Sequence, residues 1–273
     1  MENIYQELYD AAKNVRRGIM TMANQSDFHS HYGSSLSMVE IVTVLYKHVM
    51  HHDPSNPQCE SRDRFFLSKG HCVLGLYAVL HECGYISDEE LLTYQTDFSD
   101  FNSHGVINLS HGIETSSGSL GHGLGLAIGS LVAGRIRGID YRAFVVMGNG
   151  ECNEGSVWEA AMLASQCKLD NLVAVIDYNR DQGDGSSEGI INMDPMAQKW
   201  EAFGWNVKEV DGHSIEQLVE AFDSVEHNGK PTMIIANTIK GKGVSFMEGQ
   251  HEWHHNKATA EQFEQAMNEI ENS

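Results

Sequence analysis

Apolar residues recur at helical spacing from the start of the chain. Ile4, Leu8, Ala11, Val15 and Ile19 share one face of a 3.6-residue period, which predicts an amphipathic helix over residues 2–23. A polar, histidine-bearing loop runs from Asn24 to Ser35. Ser37 and Glu40 have capping-box spacing and predict a helix reaching about Met50. Pro54 and Pro57 mark residues 51–64 as loop. Phe65-Phe66-Leu67 leads through Ser68-Lys69-Gly70-His71 into an apolar helix ending near Cys83, and Ser87 to Glu90 caps another helix. The next long segment, residues 99–123, is rich in Gly, Ser and His and lacks a helical period. Such a length without an element points to function.

The second half changes period. Leu124 to Ile136 reads as a small-residue helix. Ala143 to Met147, Leu172 to Ile176 and Met233 to Ile239 are unbroken apolar runs, the mark of parallel strands buried on both faces. Gly204 to Val210 alternates and predicts a further strand. Helices are expected over Ser156–Gln166, Ser214–His227 and residues 259–271. Strands alternating with helices imply an α/β fold, a parallel sheet sandwiched between helices. No repeat, linker or clear boundary divides residues 1–273, so a single domain is expected.

Composition narrows the functions. Net charge is −20, from 38 acidic and 18 basic residues, which argues against nucleic acid as a partner. Any anionic cofactor must therefore meet a locally positive site. No apolar run reaches the ~20 residues of a membrane span. The start of the chain lacks the pattern of a secretory signal. Five scattered cysteines without a C-x-x-C exclude a disulfide scaffold and fit a reducing cytoplasm.

In such folds ligands bind beyond the carboxyl ends of the strands. The run 143–147 is followed by Gly148-Asn149-Gly150, and the run 172–176 by Asp177-Tyr178-Asn179. Two neighbouring strand ends with short oxygen-bearing side chains can hold one hard cation between them. Glycines admit a phosphate to the backbone, and the following helix N-terminus favours the anion. A Mg²⁺-diphosphate site fits these features, and an ordinary strand–turn–helix is the bland reading.

Asn149 and Asn179 stand 30 positions apart. Their surroundings, Gly148-Asn-Gly-Glu-Cys-Asn-Glu-Gly155 and Lys168-Leu-Asp-Asn-Leu172, resemble the thiamine-diphosphate motif of the transketolase family. Four more segments resemble that family in order: Ser30-His31-Tyr32-Gly33 with Ser35-Leu36-Ser37, Arg62 to His71, Gly112 to Gly123, and Lys240 to His254. The likeness runs from about residue 8 to 256. It implies a thiamine-diphosphate-binding fold and transfer of a two-carbon ketol unit from a ketose to an aldehyde acceptor. It implies His31, His71 and His104 beside the thiazolium and substrate hydroxyls, with His71 and His254 near the diphosphate. Gly118, Leu120, Gly150 and Glu151 would contact the cofactor. Asn149, Asn179 and the backbone carbonyl of Asp181 would ligate Mg²⁺, or another divalent ion such as Ca²⁺ or Mn²⁺. Glu154 and Glu159 would lie at a dimer interface, in a carboxylate network reaching the neighbouring active site.

Full-length family members carry a second domain, which supplies the glutamate that activates the aminopyrimidine. Its expected place follows Ser273, so a separately encoded C-terminal subunit is expected, within an α₂β₂ complex. The chain departs from the family at Asn149, where an Asp is usual, at Ser30 and Tyr32, where Gly and Pro are, and at His122, where Gln is. These departures leave the substrate open. The alternatives are another thiamine-diphosphate-dependent acyloin or ketol transferase on an unusual substrate, or a non-catalytic partner subunit. His251-Glu-Trp-His-His255 satisfies H-E-x-x-H, but its flanks are not those of a helix. Gly123 to Gly129 resembles a dinucleotide fingerprint without a strand entering it, so helix packing at a subunit interface is the expected role of these glycines. Ser156 and Glu159 also have capping-box spacing.

Overall fold

The three unbroken apolar runs become the centre of a five-stranded parallel sheet. The structure, a computed structural model, describes residues 2–273. In chain order the strands are β1 (Arg64–Leu67), β2 (Ala143–Gly148), β3 (Leu172–Tyr178), the short hairpin β4 (Asp181–Gln182) and β5 (Gly185–Ser186), β6 (Asn206–Asp211) and β7 (Thr232–Asn237). The main sheet runs β1-β2-β3-β7-β6. Every neighbour in it is parallel. Gly148 pairs with Asp177, and Asp177 with Ala236, so the carboxyl ends of β2, β3 and β7 finish side by side.

Helices cover both faces. They are α1 (Glu2–Gln25), α2 (Tyr32–Leu36), α3 (Val39–Val44), α4 (Val73–Glu82), α5 (Asp88–Leu91), α6 (Gly123–Arg137), α7 (Gly155–Gln166), α8 (Ser187–Ile190), α9 (Met196–Ala202), α10 (Ile215–Asp223) and α11 (Ala260–Glu271). Strand side chains alternate between the two layers. Phe144, Val146, Val173, Val175 and Ile234 enter the core under α1, α3, α4 and α10. Val145, Met147, Ala174, Ile176 and Ile235 enter the core under α6, α7 and α9. Both sides are apolar, so the strands read as continuous apolar runs. Strand β6 pairs only with β7, and its half-exposed residues explain its alternating sequence.

Two expected capping boxes are absent. Ser37 lies before α3, but its hydroxyl donates to the Ser34 carbonyl and to Asp177. Glu40 turns inward to Arg16 and to His213 Nδ1 at 3.0 Å. Burial pushes the Glu40 carboxyl up, but the Arg16 guanidinium and then the His213 contact outweigh it and hold the pKa below its usual value. The expected helix to Met50 ends α-helical form at Val44 and continues as a π-turn over Leu45–Val49. Ser156 likewise donates to the Gly121 carbonyl at 3.0 Å, leaving α7 without a side-chain cap. In each case a buried polar partner claimed the group. The cap expected at Ser87 does form, and the structure adds a capping box at Thr259.

Candidate active site at the ends of the central strands

A cleft of about 510 Å³ opens above the carboxyl ends of β2 and β3. Its floor follows from the strand register. Asn149 follows β2, Asn179 follows β3, and the hairpin β4–β5 brings Asp181 and Gln182 beside them. Asn149 is 3% exposed. Its amide lies 2.9 Å from Asn179 Oδ1 and 3.2 Å from the Asp177 carbonyl. Gly150 opens the next turn, and a Cβ there would meet Gln182 Cγ at 2.8 Å, so a side chain at 150 would crowd the floor.

Beneath the floor lies a buried ion pair. Lys69 Nζ contacts Asp177 Oδ2, with side-chain exposures of 2% and 0%. It also donates to the Ser34 carbonyl at 2.9 Å. Burial opposes the Lys69 charge, but Asp177 outweighs it and raises the lysine pKa. A second pair stands at the wall, Lys240 Nζ to Asp181 Oδ2 at 2.5 Å, with His251 Nδ1 at 3.2 Å from Asp181 Oδ1.

Histidines form the opposite wall. The ring of His31 lies 5.1 Å from His71, 6.0 Å from His104 and 5.4 Å from His254. A paired bridge between Ser30 and Asn256 draws the 251–255 segment over His31, with bonds of 2.8 and 3.1 Å. Buried Tyr32 packs edge-on against Trp253 at 5.8 Å, which gives the Tyr a structural reason. Burial, then the neighbouring His255, His254 and His104, lower His31 to about 3. Burial and then Lys240 lower His254 to about 4, against the opposing pull of Asp181. His71 falls well below its ordinary value through burial and Lys69, and His104 falls through burial and His255. The wall is therefore uncharged at neutral pH. It can donate and accept hydrogen bonds to hydroxyls.

Glu151 lines the cleft, but both its oxygens are engaged by the chain itself. They accept from Ser68 Oγ, from Gly121 N at 2.7 Å and from Gly148 N at 3.1 Å. Burial pushes its carboxyl up against these bonds. Glu151 thus ties the loop carrying Gly118 and Leu120, which also line the cleft, to the end of β2. Glu151→Ala leaves two amides without acceptors, at about 1–3 kcal/mol each. Chemical denaturation of the free chain checks this, and a loss under 1 kcal/mol would contradict it.

Glu154 reaches the cleft rim at the start of α7. Glu159 does not line the cleft. It is exposed on α7, beside Met162 (55% exposed) and Leu163 (50%). The sequence reading did not single out Ser34, Lys69, Asn153 or Gln182, which also line the cleft. Ser34 and Lys69 fall inside recognised segments, whereas nothing in the sequence marks Gln182.

The residues fit a diphosphate and a cation. Three buried polar atoms of cleft residues have no partner among the described residues: His254 Nδ1, Gln182 Nε2 and Asn153 Oδ1. Unpaired groups of this kind point to a polar occupant. Asn149, Asn179 and the Asp181 carbonyl are hard oxygen donors that suit a divalent ion. The H-E-x-x-H reading fails: residues His251–His254 form a 3₁₀ turn, so the two histidines do not share an α-helical face. The dinucleotide reading fails because Gly123 to Gly129 lies wholly within α6.

The family profile described as "Transketolase, thiamine diphosphate binding domain" matches residues 10–270. The chain belongs to the transketolase family. A similar protein is an apulose-4-phosphate transketolase subunit of Actinobacillus succinogenes, 42% identical over 266 residues, with 97% of this chain and 96% of that protein covered. The 6-deoxy-6-sulfo-D-fructose transketolase subunit of a Clostridium species is 41% identical over 242 residues, covering 88% of each. Among solved structures, transketolase from Leishmania mexicana superposes with a TM-score of 0.89 at 27% identity, covering 97% of this chain and 41% of that one. The parallel sheet between helices is thus the thiamine-diphosphate-binding fold of the transketolases.

Proposed function

We propose that this chain is the cofactor-binding subunit of a two-chain transketolase that moves a two-carbon ketol unit from a ketose to an aldehyde acceptor of the sugar type. The observation that carries this reading is the meeting of an oxygen-lined floor and an uncharged histidine wall in one cleft. Thiamine diphosphate, when bound, supplies the nucleophilic carbon that takes up and passes on the ketol unit. Asn149, Asn179 and the Asp181 carbonyl hold its divalent ion, Mg²⁺ or a substitute. The Gly150 backbone, His254, Gly118 and Leu120, which line the same cleft, would hold thiamine diphosphate. His31, His71 and His104, neutral at pH 7, hydrogen-bond the substrate hydroxyls and move protons there. Glu151 holds the loop that carries Gly118 and Leu120 against the end of β2.

Residues 1–273 act as a single cofactor-binding domain in this reading. The partner is a separately encoded chain, supported by the nearly equal length of relatives that are themselves named subunits. An α₂β₂ assembly is supported by exposed apolar side chains on two helices that pack together, Leu126 on α6 and Met162 and Leu163 on α7. Gly125 and Gly129 on α6 leave open space for a close neighbour, Glu154 is the N-cap residue of α7, and Glu159 is exposed on it. The cytoplasm is supported by five unpaired cysteines; no helix among the described residues is long and apolar enough to cross a membrane.

The test is ketol transfer from hydroxypyruvate to glycolaldehyde, with thiamine diphosphate and Mg²⁺. Activity that requires both this chain and a copurifying partner is expected. Activity of this chain alone overturns the two-chain reading, and no activity from the pair overturns the catalytic one.

A further inference from the structure

The Asp181 side chain has contacts that its role as a main-chain ligand does not require. Its amide donates to Asn179 Oδ1 at 3.1 Å, which ties it to the end of β3. Its carboxylate accepts from Lys240 Nζ at 2.5 Å and meets His251 Nδ1 at 3.2 Å. Lys240 is 2% exposed and also donates to the Gln182 carbonyl at 3.4 Å. Its stem has no slack, because a Cβ at Gly33 would meet Lys240 Cγ at 2.8 Å and the Trp253 carbonyl at 3.0 Å. The Lys240 carbonyl accepts from Gly249 N at 2.8 Å, which closes the 240–249 loop and delivers His251 to Asp181. The Ser30–Asn256 bridge holds the other end of that turn. His254 lies between the two ties. It borders the hairpin, since its Nε2 is 3.8 Å from where a Cβ of Gly183 would stand. Its Nδ1 is buried in the cleft without a partner among the described residues.

We propose that the Asp181 side chain is a positioning residue: through Lys240 and His251 it ties the 240–254 segment to the cation loop, so that one residue sets both its own carbonyl for the ion and His254 for the cofactor. This rests on the cofactor site proposed above. It also gives the H-E-x-x-H run a use without zinc, with His251 serving Asp181 and His254 the cleft. Charge alone makes a different prediction. A bare carboxylate would repel a diphosphate and a bare ammonium would attract it. Loss of Asp181 would then tighten cofactor binding, and loss of Lys240 would weaken it. The tie gives both losses the same sign.

The test uses the complex with its partner, at a temperature where every protein is folded by circular dichroism. Thiamine diphosphate affinity is measured calorimetrically in Mn²⁺. Backbone hydrogen exchange of residues 249–256 is followed by mass spectrometry without cofactor. Asp181→Leu keeps the main-chain carbonyl and removes the carboxylate. It is expected to bind thiamine diphosphate about tenfold more weakly, or beyond that, as when the outer partner of a metal ligand is removed. Lys240→Met is expected to lose a similar factor, and Asp181→Leu/Lys240→Met no more than either alone. All three are expected to exchange faster over 249–256. Tighter binding by Asp181→Leu overturns the proposal in favour of charge alone. Faster exchange with unchanged affinity also overturns it, since the contact would then be structural only. His251→Ala alters a 45%-exposed side chain and keeps the buried pair, so it tests the tie even where the pair variants do not fold. It is expected to weaken binding by less and to speed exchange, and wild-type values for both overturn the proposal. A wild-type complex that binds no thiamine diphosphate overturns the cofactor site itself, and the tie falls with it.

Discussion

Replacing Lys69 with methionine is expected to remove about 3–5 kcal/mol of stability, because it leaves the Asp177 carboxylate buried without its cation. That is a large part of the ~5–15 kcal/mol that holds a domain folded. Asp177 is fully buried among the ends of β2, β3 and β7. Its oxygens also accept from Ser37, from Thr238 and from Asn179 Nδ2 at 3.3 Å. Those neutral donors soften the loss but do not neutralise a charge. The pair is also the footing of the cleft, since Asn179 follows Asp177 by two residues and Ser34 accepts from Lys69. The double variant Lys69→Met/Asp177→Leu removes both charges and is expected to regain much of the loss, since a buried pair is often replaceable by apolar groups. Urea denaturation of the four proteins in the cycle measures this. Additive losses, or a Lys69→Met loss below 1 kcal/mol, would show that the pair does not carry the site.

The histidine wall makes the chain acid-labile. Burial is the largest cause in each lowered group, with neighbouring cations and rings next. The unfolded chain takes up protons at histidine near pH 6.5, whereas folded His31 and His254 resist until about 3 and about 4. Between those limits the unfolded state binds more protons, so stability falls as pH falls. The contribution is fully present above about pH 6.5 and is lost across the window down to about pH 3. The melting temperature of the free chain is expected to drop steeply from pH 6.5 to pH 4. His31→Asn is expected to flatten that slope, because it removes one group that protonates only on unfolding. Parallel slopes for the two proteins would contradict this account of the wall.

Much of the frame was legible in the sequence because burial on both faces writes itself as unbroken apolar runs. Strands β2, β3 and β7 were visible for that reason, and β6 through its alternation. Strand β1 was visible only as three apolar residues before Ser68. The hairpin β4–β5 and helices α8 and α9 went unread, since 2–7-residue elements carry no period to detect. The capping boxes at Ser37 and Ser156 failed for a different reason. Local spacing cannot register that Asp177 or the Gly121 carbonyl lies within reach of those hydroxyls. The same limit applies to the site. Asn149, Asn179 and the histidines stood out through resemblance to known motifs, and the structure gathers them in one cleft. Lys69–Asp177, a pair 108 residues apart, and Ser187 beneath Asn149 could be found only in three dimensions.

Native mass spectrometry of the chain purified from its own source, in Mg²⁺, tests the central claim most directly. The account predicts an assembly holding two copies of this chain, two copies of a second chain, and a bound mass equal to thiamine diphosphate with a divalent ion. A chain that emerges alone and takes up no cofactor when thiamine diphosphate is added would contradict it.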